Sequence, residues 1–280
     1  MTARALAWRA LRVLALAGAG CAALLVLIIV LFENRFIFFP TKYPAGDWER
    51  ARHARVPIED VWLTASDGVR LHAWFVRGTA PEATILFFHG NAGNVADRLD
   101  WLVELAALPA DVLALDYRGY GRSAGAPNEA GLYRDAEAAY RWLTVERQVP
   151  PARLVLYGKS LGGGPAAELA VRHPCRALIL QSTFTSIPDM ARVAMPFVPR
   201  ALIRTRFDTR GKLARTTTPT LIVHSRDDEL IPYAMAEQLH AAAAGPKRLV
   251  AFSGAGHNEL VLMQGKQVVS AFREFLAASR

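Results

Sequence analysis

Cysteine is nearly absent from this chain: 280 residues hold two, Cys21 and Cys175. Two isolated cysteines build no disulfide framework and offer no metal-ligand spacing, so neither a stapled scaffold nor a zinc site is expected. Also missing is any run of Lys and Arg interleaved with aromatics. The formal charge of +8 comes from scattered basic residues, which argues against a nucleic-acid partner and fits attraction to anionic lipid headgroups. Charge itself is missing from residues 13–32, VLALAGAGCAALLVLIIVLF. As a helix this run spans about 30 Å, the thickness of a bilayer's hydrocarbon core. A cleaved signal peptide would end its apolar region after ~7–15 residues, at small side chains. Here LLVLIIVLF follows the small residues, and Gly18 is a poor match for the bulky residue of a lipoprotein signal before Cys21. The reading is an uncleaved anchor.

Flanking charge orients it. Arg4, Arg9 and Arg12 precede the span with no acidic residue among them, whereas Glu33, Asp47 and Glu49 offset Arg35, Lys42 and Arg50 behind it. The positive-inside rule then leaves residues 1–12 in the cytoplasm and the rest outside, periplasmic for a bacterial inner membrane. Residues 33–55 read as a linker at the membrane interface. Its Phe36, Phe38 and Phe39 suit an interfacial collar, or equally packing against the domain that fills 56–280.

That domain opens with a β-hairpin. Ser66-Asp67-Gly68 forms the turn, and Val69, Leu71, Ala73 and Phe75 alternate beyond it. Six continuous apolar runs follow: ATILFF, DVLAL, RLVLY, RALIL, PTLIV and RLVAF, separated by helical stretches. Such strands imply an α/β fold, a mostly parallel sheet with helices on both faces, and sites just beyond the strands' carboxyl ends. Residues 186–218 are too long for a simple crossover and read as a small helical lid over the site.

GKSLG, residues 158–162, has two readings. A P-loop needs glycine five positions before the GK glycine, and Arg153 stands there within a strand, so that reading fails. The other is G-x-S-x-G, a strand-to-helix turn presenting Ser160 in a strained conformation that demands small neighbours, here Gly158 and Gly162. PAAELAVRH continues as a helix whose N-terminus favours a developing oxyanion. GYGRSA, residues 119–124, imitates a dinucleotide fingerprint, but Pro127 leaves no helix to complete it.

A serine needs a base, and the base an orienting acid, in the chain order Ser, Asp/Glu, His on such a sheet. Of the seven histidines, only His240 and His257 lie beyond TLIVHS. His240 sits in an evident helix and His257 in a glycine-rich loop after the last strand, so His257 is the candidate base. Asp227, Asp228 and Glu229 all follow the preceding strand, and spacing does not choose among them. His224 reads as a packed histidine. HGNAGN after ATILFF is the expected source of an oxyanion donor, by position the Asn91 N–H, with the Leu161 N–H as its partner. His89 reads as orienting that loop. No metal or organic cofactor is implied.

FFHGNAGN, DYRGYGRS, YGKSLGGG, RFDT, HSRDDELIP and GAGHNEL occur in this order between residues 87 and 260, behind the anchor and FFPT. In this the chain resembles the α/β-hydrolase superfamily, and within it the membrane-anchored branch that includes eukaryotic protein depalmitoylases. The resemblance implies Asp228 as the acid, carries nucleophile, base and oxyanion donors to Ser160, His257, Asn91 and Leu161, and gives Asp116 to Arg122 a wall-shaping role. It also implies an acyl ester or thioester substrate, with Met195, Phe197, Val198, Leu202 and Ile203 as an apolar lid. A serine peptidase and a non-catalytic membrane-tethered binding protein are the alternatives.

Overall fold

The computed structural model describes residues 3–279. Helix α1, Ala3–Leu31, is the one helix among the described residues long and apolar enough to cross a membrane, over Leu11–Leu31. Most of the side chains over this span are exposed, Leu14 and Leu16 among them, whereas Ile29 in its last turn is buried. A short helix, Glu33–Ile37, and the extended pair Phe39–Pro40 follow directly.

Eight strands then build one sheet: β1 (Ile58–Thr64), β2 (Arg70–Val76), β3 (Ala83–Phe88), β4 (Ala110–Leu115), β5 (Leu154–Lys159), β6 (Ala177–Gln181), β7 (Thr220–Ser225) and β8 (Lys247–Phe252). Their order is β8-β7-β6-β5-β3-β4-β2-β1. The β1–β2 and β2–β4 pairs are antiparallel; all others are parallel. Every residue of β3 is buried, so both faces of the central strands are covered. Period-two alternation divides them. Leu86, Phe88 and Leu156 face one core with helices α3 (Glu129–Arg141), α4 (Gly163–Arg172) and α6 (Tyr233–Ala242). Ile85, Phe87 and Val155 face the other with α2 (Leu99–Leu105) and α7 (Leu260–Ala278).

Residues 33–55 lie against this body: Phe38 joins the first core and Trp48 the second. Residues 186–218 divide in two. Helix α5 (Ile187–Ala194) and the turn Arg200–Leu202 stand over the carboxyl ends of the strands. The helical turn Thr209–Leu213 instead joins the covering layer, with Lys212 bound to Glu168 at 3.0 Å and Leu213 fully buried.

Leu86 is 0% exposed at the middle of the sheet. Leu86→Ala is expected to cost about 2–5 kcal/mol through lost burial and the cavity left behind. Urea unfolding of the detergent-solubilised chain measures it.

Candidate active site

Strand β5 is central, its Gly158 paired with Phe88 on one side and Leu180 on the other. It ends in a tight turn at Ser160–Gly162 that runs straight into α4. Ser160 takes φ +53, the left-handed region that penalises a side chain. The turn closes only because its flanks are glycine. A Cβ on Gly158 would strike the backbone of Gly162 and Gly163, and one on Gly162 the Phe88 carbonyl.

Ser160, His257 and Asp228 form one hydrogen-bonded chain. The His257 ring places Nε2 3.2 Å from Ser160 Oγ and Nδ1 2.8 Å from Asp228 Oδ2. All three residues are buried. The three acids after β7 separate by what they hold. Asp228 reaches the ring, and its Oδ1 accepts from the N–H groups of Leu230 at 3.0 Å and Ile231 at 2.7 Å. Asp227 accepts from Gly254 N–H and Glu229 from His257 N–H, so both fasten the histidine loop by its backbone. His224 is buried, donates from Nε2 to the Ile231 carbonyl at 2.9 Å, and stands 3.3 Å from Asp228 Oδ2. His240 lies on α6, apart from this chain. Burial alone would raise the Asp228 carboxyl, but hydrogen bonds from His224, His257 and the Ile231 N–H hold it well below the usual carboxylate range.

The loop after β3 lies against Ser160: a Cβ on Gly90 would sit 3.6 Å from the serine Cβ. Asn91 is tied on several sides. Its side chain donates to the Ile37 carbonyl at 3.1 Å, while its own carbonyl accepts from Tyr120 Oη at 2.7 Å and Phe39 N–H at 2.9 Å. His89 donates from Nδ1 to the Gly90 carbonyl, and Tyr117 donates to the His89 carbonyl. The segment 116–122 therefore braces the loop from behind. Lys159 does not line the cavity beside Ser160; desolvation pulls its ammonium down to about 8, Arg98 adds to this, and Asp228 opposes it.

That cavity measures about 240 Å³; Ser160, Asn91, Leu161 and Ile231 line it, and the exposed Leu230 stands at its rim. Of the apolar lid residues, Met195, Val198 and Ile203 line it, together with Ile187 and Met190, whereas Phe197 and Leu202 are exposed. Part of the wall also comes from residues ahead of the sheet: Ile29, Glu33, Phe36, Ile37 and Phe39. By sequence, Ile29 belongs to the anchor and Glu33 to Phe39 to an interface linker whose phenylalanines suit a collar or packing against the domain. The one signal of a place in the wall was a lone glutamate closing an apolar helix ahead of FIFF.

A family described as alpha/beta hydrolase fold matches residues 83–214, and one described as TAP-like protein matches 202–280. An uncharacterized protein of Mycobacterium tuberculosis (strain ATCC 25618 / H37Rv) is 38% identical over 247 residues, 87% of each chain. The chain belongs to the α/β-hydrolase family. Within it, the alpha/beta hydrolase domain-containing protein WAV2 of Arabidopsis thaliana is 36% identical over 241 residues, 78% of each chain. An esterase of Pyrococcus furiosus superposes with a TM-score of 0.67 at 17% identity, covering 86% of this chain and 97% of its own. At that identity the likeness is one of α/β-hydrolase fold.

Asp228 yields a pH prediction. Its folded pKa lies below its unfolded value of about 4, so the stability it adds is fully present above that value and is lost as pH falls. The gap in urea midpoint between wild type and Asp228→Asn is expected to stay constant above about pH 5 and to shrink below about pH 4. A gap unchanged down to about pH 3 contradicts the depressed carboxyl.

Proposed function

We propose that the chain is a membrane-anchored serine hydrolase cleaving ester or thioester bonds of acyl, lipid-like substrates through an acyl-enzyme. The observation that carries this is the hydrogen-bonded chain Ser160–His257–Asp228 opening into an apolar cavity.

In the first step Ser160 Oγ attacks the acyl carbon while His257 Nε2 takes the hydroxyl proton. The resulting imidazolium is stabilised by Asp228 Oδ2 on Nδ1. The carbonyl oxygen, now negative, is met by the N–H groups of Asn91 and Leu161, both of which border the cavity beside Ser160. His257 then gives its proton to the departing alkoxide or thiolate as the bond to the acyl carbon breaks, leaving the acyl group on Ser160. Water repeats the sequence: His257 takes its proton, the hydroxide adds, and the fatty acid leaves as Ser160 recovers its proton. The segment Leu11–Leu31 is the anchor. Arg4, Arg9 and Arg12 keep the short N-terminus cytoplasmic and place the catalytic domain on the opposite face, periplasmic in a bacterial inner membrane.

A fluorophosphonate probe tests the mechanism on detergent-solubilised protein. Wild type is expected to label, and Ser160→Ala and His257→Ala to lose labelling along with about 10⁴-fold or more of ester turnover. Acyl p-nitrophenyl esters and acyl thioesters, run beside a peptide anilide, separate esterase from peptidase. Folded wild type that neither labels nor turns over any of these overturns the reading in favour of a binding protein.

A further inference from the structure

Part of the cavity wall comes from the last turn of α1 and the segment directly after it, Ile29 to Phe39. Ile29, in the last turn of α1, is 6% exposed and packs with Ala191, Val198 and Ile203 of the lid. Its neighbours Leu27 and Leu31 are 51% and 59% exposed. One narrow face of the membrane helix is thus committed to the lid while the rest is left for lipid.

Glu33 holds this arrangement. A carboxylate buried at the end of an apolar helix is costly unless its oxygens are hydrogen-bonded. Glu33 Oε1 accepts from Thr205 N–H at 2.7 Å and Oε2 from Arg204 N–H at 3.1 Å, while Arg204 Nη2 donates to the Val30 carbonyl at 2.8 Å. Past Glu33 the chain is stitched to the oxyanion loop, Phe39 pairing in parallel with Ala92 and Pro40 with Gly93. Phe36 and Phe39 therefore stand at a fixed distance from Ser160.

We propose that Ile29 to Phe39 is the acyl-selecting wall of the Ser160 site, with Glu33 its positioning residue, so that the enzyme measures its acyl chain against its own anchor. This rests on the serine-hydrolase reading above and names its substrate more closely. Because Ile29 lies in the last turn of the span Leu11–Leu31, the cavity opens at the bilayer surface, where acyl ester groups stand and their chains descend. The occupant is one acyl chain of an amphiphile from that leaflet, lying along the end of α1 with its carbonyl at Ser160.

The experiment uses the full-length chain in detergent and compares kcat/KM for p-nitrophenyl palmitate and p-nitrophenyl acetate. Ile29→Trp fills the cavity and is expected to lower the palmitate-to-acetate ratio about tenfold or more. Phe36→Ala removes wall from a half-exposed position where folding is not at risk, and is expected to lower the same ratio about tenfold. Glu33→Gln is expected to raise KM for palmitate more than it lowers kcat, whereas Leu24→Trp, on the exposed side of the same helix, keeps the wild-type ratio. Ratios within about twofold of wild type for both wall variants, or equal losses on both esters, overturn the proposal while leaving the hydrolase reading intact. Wild type inactive on both esters overturns the hydrolase reading, and this proposal with it.

Discussion

The structure hangs on how closely α4 approaches the end of β5. Holding Ser160 at φ +53 costs of order 1–3 kcal/mol, and such strain persists only where the surroundings over-determine it. Here they do so by contact. Gly158 lies against the turn formed by Gly162 and Gly163, and Gly162 lies against the Phe88 carbonyl of the neighbouring strand. Any Cβ at either glycine would push the helix away from the sheet. The same closeness sets Ser160 against the loop after β3 and lets His257 span from Oγ to Asp228. The register of β3 against β5 therefore sets Ser160 against the oxyanion loop, while β7 and β8, paired beyond β6, bring Asp228 and His257 to it.

Around that fixed point, carboxylates do most of the fastening. Four successive N–H groups, Arg204 to Phe207, are taken by two acids: Glu33 from the end of the anchor and Glu129 from α3. Asp227 and Glu229 fasten the histidine loop. Asp116 accepts from Val95 N–H behind the oxyanion loop. In each case a charged acceptor meets backbone donors, the stronger kind of hydrogen bond, in a place where no regular element can pair them. Loops over a sheet's carboxyl end carry many such donors, and acids placed nearby are the economical way to hold them.

The sheet, the elbow and the order of its polar residues were legible because each is local. Apolar runs, G-x-S-x-G and a glycine-rich loop holding His257 are all readable from a few neighbouring residues. The acid was not. Asp227, Asp228 and Glu229 are adjacent, all three bond toward the same loop, and only three-dimensional direction sends Asp228 to the ring. His224 looked like packing and is packed, yet it also adds a further contact to Asp228. The largest illegible part was residues 29–39. Hydropathy marks where a membrane span ends, but it cannot say that the last turn lies against a segment some 160 residues onward. Contacts of that separation leave no periodicity in either partner.

The arginines of the lid sharpen what the basic surplus means. Arg200 is bound to Asp189 at 3.0 Å and Arg204 to Glu33 and Val30, so these two are spent on internal structure. Headgroup attraction therefore cannot be read from the lid's charge alone. What the lid does present at the mouth is apolar: Phe197, Leu202 and Val193 are exposed, and Leu230 is exposed at the cavity's own rim. Exposed apolar side chains beside an opening mark an interaction surface more reliably than scattered charge does. With the last turn of α1 forming part of that opening, the proposed anchoring of α1 would set the bilayer surface beside it. Under that proposal the anchor does more than raise local concentration, because it sets an apolar-rimmed mouth at the depth where acyl chains begin.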